Sequence, residues 1–157
     1  MIPAWLVIAG VAIAIGTAGS AIPTSGRKWF RHLQRPAWLT IEQFIPLIWT
    51  VVFICGGWSA YIVWEQNPGS GETGWLMAGY ALLELVTVSY TVAMLRTQKL
   101  TVGLVIGASG LVIGLILAGL VLQIQAIATL LLLPYLLWSP VGTFITWQMM
   151  QLNPDQT

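Results

Sequence analysis

The chain has 157 residues, of which 57% are hydrophobic and only 7% charged. A soluble domain carries about 25% charged residues, so a water-facing surface cannot be built here. Six basic and five acidic side chains leave a net charge of +1, which excludes a nucleic-acid partner, because so few cations cannot follow a phosphate backbone.

The mean hydropathy of +0.84 directs attention to membrane spans, each of which needs about 20 apolar residues. The first qualifying stretch runs from Pro3 to Ile22. The small residues from Thr17 to Ala21 would suit a signal-peptide cleavage site. No positive charge precedes the run, however, and the basic cluster follows it, so this span is expected to be retained. A polar loop is expected from Pro23 to Gln43, and a second span from Phe44 to Trp64, with Pro46 in its tolerated first turn. After an Asn-Pro-Gly turn at Asn67 to Glu72 comes a third span, Gly74 to Leu95. Short connections around Arg96 to Lys99 and Gln123 to Gln125 lead to Thr101 to Leu122 and Ala126 to Met150. Pro134 and Pro140 are expected to kink the last span and to free carbonyls within it. The expected fold is one domain over residues 1–157, an all-α membrane protein built as a five-transmembrane-helix bundle with antiparallel neighbours.

Every Lys and Arg falls in the first or third loop: Arg27, Lys28, Arg31, Arg35, Arg96 and Lys99. With five spans these loops share a side, so the positive-inside rule places the N-terminus outside and the C-terminus in the cytoplasm. Trp5, Trp29, Trp38, Trp64 and Trp75 lie near span ends, as an interfacial aromatic belt requires. Small residues recur along span four (Gly103, Gly107, Gly110, Gly114, Ala118) and span one (Gly10, Ala14, Ala18). Such stripes let helix backbones approach closely, either within one chain, which the sequence favours, or across a homodimer seam.

Glu84 is the residue most suggestive of chemistry, an ionisable group near the middle of span three. A charged side chain at that depth costs about 2.5–3.5 kcal/mol on insertion scales, so it must face protein, face a cavity, or be carried as the neutral acid. Tyr80, Glu84, Thr87 and Thr91 share one helical face. They read as a polar wall of a ligand site or a proton-coupled step; the alternative is a neutral carboxyl hydrogen-bonded to a neighbouring helix. Span two offers Trp49, Phe53, Gly57, Ala60 and Trp64 at helical spacing, and span five offers Tyr135, Trp138, Gly142 and Thr146. Aromatics beside glycines form flat slots for a planar apolar ligand, although each alone is more often ordinary packing. His32, amid the basic cluster, is a weak candidate for an axial haem ligand and reads better as a solvated loop residue. Cys55, the one cysteine, allows no internal disulfide and reads as a small packed hydrophobe. No nucleophile–base pair, metal-ligand cluster or nucleotide loop occurs, so no catalytic residue and no metal is assigned.

The stretch WFRHLQRPAWLTIEQFIPLIWTVVFICGGWSAYIVW, Trp29 to Trp64, resembles the tryptophan-rich first loop and second helix of the TspO/MBR (translocator protein) family. Trp29, Leu33, Arg35, Pro36, Trp38, Trp49, Gly57 and Trp64 stand at the corresponding positions without gaps. PYLLW, Pro134 to Trp138, is similar to the P-Y-x-x-W of the family's fifth helix. The departures are Thr40-Ile41 for a Pro-Pro pair, Phe53 for tyrosine, Leu83 and Thr87 for a Gln and Asn, and Thr146 for asparagine. Glu84 is peculiar to this chain. The resemblance implies a pocket under loop one for porphyrin, haem, sterols or other flat hydrophobic molecules. Trp29, Arg35, Pro36, Trp38, Trp49, Phe53, Tyr80, Glu84, Thr87, Tyr135 and Trp138 are the expected ligand-binding residues. It also implies roles in transport, stress-linked tetrapyrrole control or porphyrin breakdown, with no obligatory cofactor. The leading expectation is a tetrapyrrole-binding membrane protein; the rivals are a proton-coupled exporter using Glu84 and a non-binding scaffold subunit using the glycine stripes.

Overall fold

A computed structural model describes residues 3–19 and 23–157, and all of its regular structure is helical. In chain order the helices are α1 (Ala4–Ala18), α2 (Thr24–His32), α3 (Ile45–Gln66), α4 (Gly71–Thr97), α5 (Leu100–Leu122) and α6 (Ala126–Leu152). Short 3-10 turns occupy Glu42–Phe44 and Pro154–Gln156. With the turn that leads into α3, four helical segments among the described residues are long and apolar enough to cross a bilayer: Glu42–Gln66, Gly71–Thr97, Leu100–Leu122 and Ala126–Leu152. These correspond to expected spans two to five. The first expected span is represented by α1, which is apolar but only 15 residues long; Ser20, Ala21 and Ile22 lie outside the described residues.

One expectation is corrected. The segment from Pro23 is not all loop, because residues Thr24–His32 form a helix. Gly26, Trp29, Phe30 and Leu33 recur every three or four residues and give it one apolar side. Gly26 is buried directly against the Leu95 backbone carbonyl, where a side chain has no room. The exposed side carries Arg27, Lys28, Arg31 and His32. The extended backbone of Leu33 ends the helix.

The long helices close into a ring in the order α1, α3, α6, α5, α4, with α2 lying against α4. Ser70 caps α4, its hydroxyl oxygen accepting from the Thr73 N–H at 3.1 Å, and left-handed Gln98 makes the tight reversal into α5. Helix α6 runs continuously through Pro134 and Pro140. Leucines, valines and tryptophans remain exposed around the ring, among them Leu47, Trp58, Ile116, Leu130 and Leu137. A surface of this kind is stable only against lipid.

Inside, the buried side chains fall into two clusters. One joins Val63, Leu76, Leu117, Val121, Ala128 and Leu132. The other joins Leu33, Met94, Leu100, Ile145 and Met149 at the end covered by α2. The span-four stripe is consumed within the chain: Gly103, Gly110, Gly114 and Ala118 are buried, with Met94 and Tyr135 filling the space at three of them. The span-one stripe, Gly10, Ala14 and Ala18, is exposed.

Candidate functional site

Among the described residues, cavities of about 600 and 840 Å³ lie between the helices, both within the rough 300–1,000 Å³ range of small-molecule sites. The smaller lies toward α2. Phe30, Arg35, Leu39 and Glu42 stand at its loop end, Trp49 and Phe53 line it from α3, and Tyr90 and Thr91 from α4. Gly107 and Gly110 contribute from α5, and Trp138, Gly142 and Thr146 from α6. The larger lies toward the opposite end, between α1, α3 and α4, and includes Gly57, Ala60, Trp64, Tyr80 and Glu84. Phe53, Thr87 and Tyr135 line both cavities and form the waist between them.

The loop end is built by polar ties that sequence reading did not find. Arg35 donates to Glu42 at 2.8 Å and lies 5.3 Å over the Phe30 ring. An exposed ion pair of this kind contributes about 1 kcal/mol at most, but it fixes where the guanidinium points. The Trp29 indole donates to Gln156 at 2.6 Å, and the Trp38 indole donates to Gln148 at 2.5 Å. Gln34 and Asn153 bond reciprocally, the Gln34 N–H to Asn153 Oδ1 and Asn153 Nδ2 to the Gln34 carbonyl, both at 2.9 Å. Asn153 Nδ2 also donates to the Met149 carbonyl at 2.8 Å, satisfying the end of α6. The loop over the cavity is therefore tied to the C-terminal tail. Asn153→Ala should lower the melting temperature by several degrees, since each lost bond is worth about 0.5–1.5 kcal/mol. Hydrogen exchange should rise selectively from residues 33 to 40; unchanged exchange there would dismiss the anchoring role.

The expected site residues are distributed unequally. Arg35, Trp49, Phe53, Thr87, Tyr135 and Trp138 line the loop-side cavity, and Tyr80 and Glu84 line the other. Trp29, on the apolar side of α2, and Pro36, buried in the loop that follows, lie outside both linings. Trp38 also lies outside them, in an aromatic ladder with Phe144 at 6.1 Å and, beyond it, Trp147. His32 is exposed, its Nδ1 donating to the Lys28 carbonyl at 2.7 Å, and it lines neither cavity. Among the described residues no group of His, Cys, Asp and Glu is placed to hold a metal ion.

Two tyrosines of α4 stitch the bundle together, and their protons can be assigned. Ser59 donates its one proton to the Ala128 carbonyl at 2.7 Å, so the Tyr80 hydroxyl, 2.5 Å away, donates to Ser59. Likewise Thr146 donates to the Gly142 carbonyl, so Tyr90 donates to Thr146. Each tyrosine oxygen retains its lone pairs as acceptors.

The sequence profile of the TspO/MBR family matches residues 5–152, nearly the whole chain. This chain belongs to the TspO/MBR family. A tryptophan-rich protein TspO of Chlorobaculum tepidum is 27% identical over 147 residues, covering 92% of each chain. Translocator protein 2 of Homo sapiens is 29% identical over 126 residues, 77% of this chain and 72% of its own. A tryptophan-rich sensory protein of Cereibacter sphaeroides is 26% identical over 129 residues, 80% and 77% of the two chains. Family membership and the long apolar helices together make this an integral, multi-pass membrane protein in contact with the lipid bilayer. The tryptophans that mark the TspO/MBR resemblance divide by task here: Trp49 and Trp138 line the loop-side cavity, Trp64 lines the other, and Trp29 and Trp38 hold the loop.

Proposed function

We propose that the loop-side cavity binds a flat hydrophobic ligand of the tetrapyrrole type, porphyrin or haem, and that the protein acts in its transport or stress-linked regulation. One observation carries this reading: Trp49, Phe53 and Trp138 line a cavity that has Arg35 at its loop end. Aromatic faces receive a planar macrocycle, and a guanidinium held in place receives a carboxylate side group. Names such as translocator and sensory protein among the relatives support a ligand-handling role. The ligand is cargo or signal, not an obligatory cofactor. Titration of purified protein with protoporphyrin and with haem, followed by tryptophan quenching, should saturate at one site per chain. Absence of saturable quenching with both ligands would refute the reading.

In this reading α1 is the fifth span, the N-terminus lies outside and the C-terminus in the cytoplasm, because every Lys and Arg then faces inward. In a Cys55→Ala background, cysteines at Ser70 and Thr97 should label from opposite sides, and one at Thr24 from the side of Thr97. Labelling of Ser70 and Thr97 from one side would overturn the topology. The exposed small-residue face of α1, Gly10, Ala14 and Ala18, is the surface through which two copies would pair in this reading.

A second reading is favoured by the placement of Glu84 in the lining of the larger cavity: proton-coupled export with Glu84 as the carrier. Glu84→Gln keeps shape and hydrogen-bonding capacity but removes titration. The variant should fold and lose the pH dependence of ligand flux in proteoliposomes. Identical pH profiles would assign Glu84 a structural role and leave Glu65, the other carboxylate lining this cavity, to be tested.

A further inference from the structure

The larger cavity differs in chemistry from the loop-side one. Its lining contains two carboxylates, Glu65 and Glu84, and no basic side chain among the described residues. Glu84 stands at the midpoint of α4, and no described residue makes a hydrogen bond or ion pair with it. The polar side chains one turn away on either side along the same helical face have their protons committed elsewhere. Tyr80 donates to Ser59, and Thr87 donates to the Leu83 carbonyl at 2.7 Å. An ionised carboxylate has no proton to offer. This face therefore presents acceptors and negative charge, and the complementary group is a positively charged donor. Much of the remaining lining is aliphatic or aromatic, including Trp64, whose face attracts a cation. The cavity also has unfilled room: a Cβ added at Gly56 or Gly57 meets no atom within 4 Å.

We propose that this second cavity binds an amphipathic ammonium compound, with the Glu84 carboxylate as its counter-ion, Tyr80 and Thr87 as hydrogen-bond acceptors, and the apolar walls receiving its hydrocarbon part. The site adjoins the loop-side cavity across the shared waist of Phe53, Thr87 and Tyr135, but Glu84 and Tyr80 lie outside that cavity's lining, and the proposal does not depend on a tetrapyrrole binding there. A carboxylate in low dielectric is stabilised by an opposite charge it can contact directly, so the charge of the ligand, and not its apolar area alone, sets affinity. The loop-side cavity lacks this preference because its acidic residue, Glu42, is already paired with Arg35.

The test uses the full chain in phosphatidylcholine nanodiscs and isothermal titration with 4-phenylbutylammonium, empty nanodiscs subtracted. The neutral comparison is 4-phenylbutanol, which has the same hydrocarbon. The ammonium should bind one per chain and at least tenfold more tightly than the alcohol. Glu84→Gln should erase that tenfold preference while weak binding of the alcohol persists. Gly57→Leu, which projects a side chain into the open volume, should abolish binding of both. Glu72→Gln, an exposed carboxylate outside both linings, should leave the preference intact, which separates a specific counter-ion from general surface charge. Equal affinity for ammonium and alcohol in the wild type, or an unchanged preference in folded Glu84→Gln, would overturn the proposal. If Glu84→Gln fails to fold, Gly57→Leu decides alone, and retained ammonium binding in it counts against the site. Failure of porphyrin binding would leave these outcomes untouched, because neither Glu84 nor Gly57 lines the loop-side cavity.

Discussion

Trp138→Ala is expected to weaken porphyrin binding by tenfold or more, and Trp138→Phe by only about threefold. Trp138 stands in the loop-side cavity on α6, facing a lining that includes the Trp49–Phe53 pair of α3, whose rings are 5.8 Å apart. A ligand ring against Trp138 gains an aromatic contact worth about 0.5–1.5 kcal/mol beyond its buried area, and each 1.4 kcal/mol is a factor of ten in affinity. Alanine removes both the contact and the area, whereas phenylalanine keeps a smaller aromatic face. Trp38→Ala should behave differently, because Trp38 ties the loop to Gln148 and stacks on Phe144 instead of lining the cavity. Its effect should appear first as faster ligand dissociation and increased hydrogen exchange in the loop. Quenching titrations and stopped-flow dissociation on the three variants distinguish the roles. Trp138→Ala with wild-type affinity in a folded protein would remove Trp138 from the site.

The largest stability effect should come from Gly114→Val. A Cβ at Gly114 would lie 2.6 Å from Tyr135 Cε1 and 3.1 Å from Cδ1, and one at Gly110 would lie 2.7 Å from the Tyr135 hydroxyl. The two glycines form a notch in α5 that receives the buried ring of α6. Tyr135 has little freedom to retreat, because it also packs in the core with Val52, Leu83 and Leu132. Valine must therefore force the helices apart, and overpacking of this kind typically costs about 1–3 kcal/mol. Since Tyr135 lines both cavities, ligand binding should fall as well. Gly57→Ala makes the contrast: its Cβ meets nothing within 4 Å, and helix propensity favours alanine over glycine by about 1 kcal/mol. Thermal unfolding in detergent should show Gly114→Val well below the wild type and Gly57→Ala at or above it. Equal melting temperatures for all three would show that the close approach of α5 and α6 contributes nothing.

What the amino-acid order alone determined is the part of the protein set by transfer from water. The shortage of charge demanded lipid, and apolar runs bounded by Asn67 to Glu72, Arg96 to Lys99 and Gln123 to Gln125 placed the last three connections to within a few residues, because burying uninterrupted apolar surface is a local, additive preference. The Trp29 to Trp64 pattern and PYLLW pointed to the family for the same reason, as spacings read directly from the chain. The α2 helix was legible in principle from Gly26, Trp29, Phe30 and Leu33, but the basic residues between them drew the reading toward a loop. Which side of each spanning helix turns inward was much less legible. In water an apolar face must seek the core, whereas in a bilayer lipid and core are equally apolar and no hydrophobic driving force tells them apart. Tertiary packing decided that Trp49 and Trp138 line a cavity while Trp38 and Trp58 do not, and that the span-four glycines serve Tyr135 and Met94 within the chain. It also decided that Tyr80 and Glu84 look into a different cavity from Arg35. The ties from Gln34 to Asn153 and from Trp29 to Gln156 join residues more than a hundred positions apart, and no local pattern encodes such pairings. They exist because ring closure brings the end of α6 beneath the first loop, where polar groups leaving the helices must find partners.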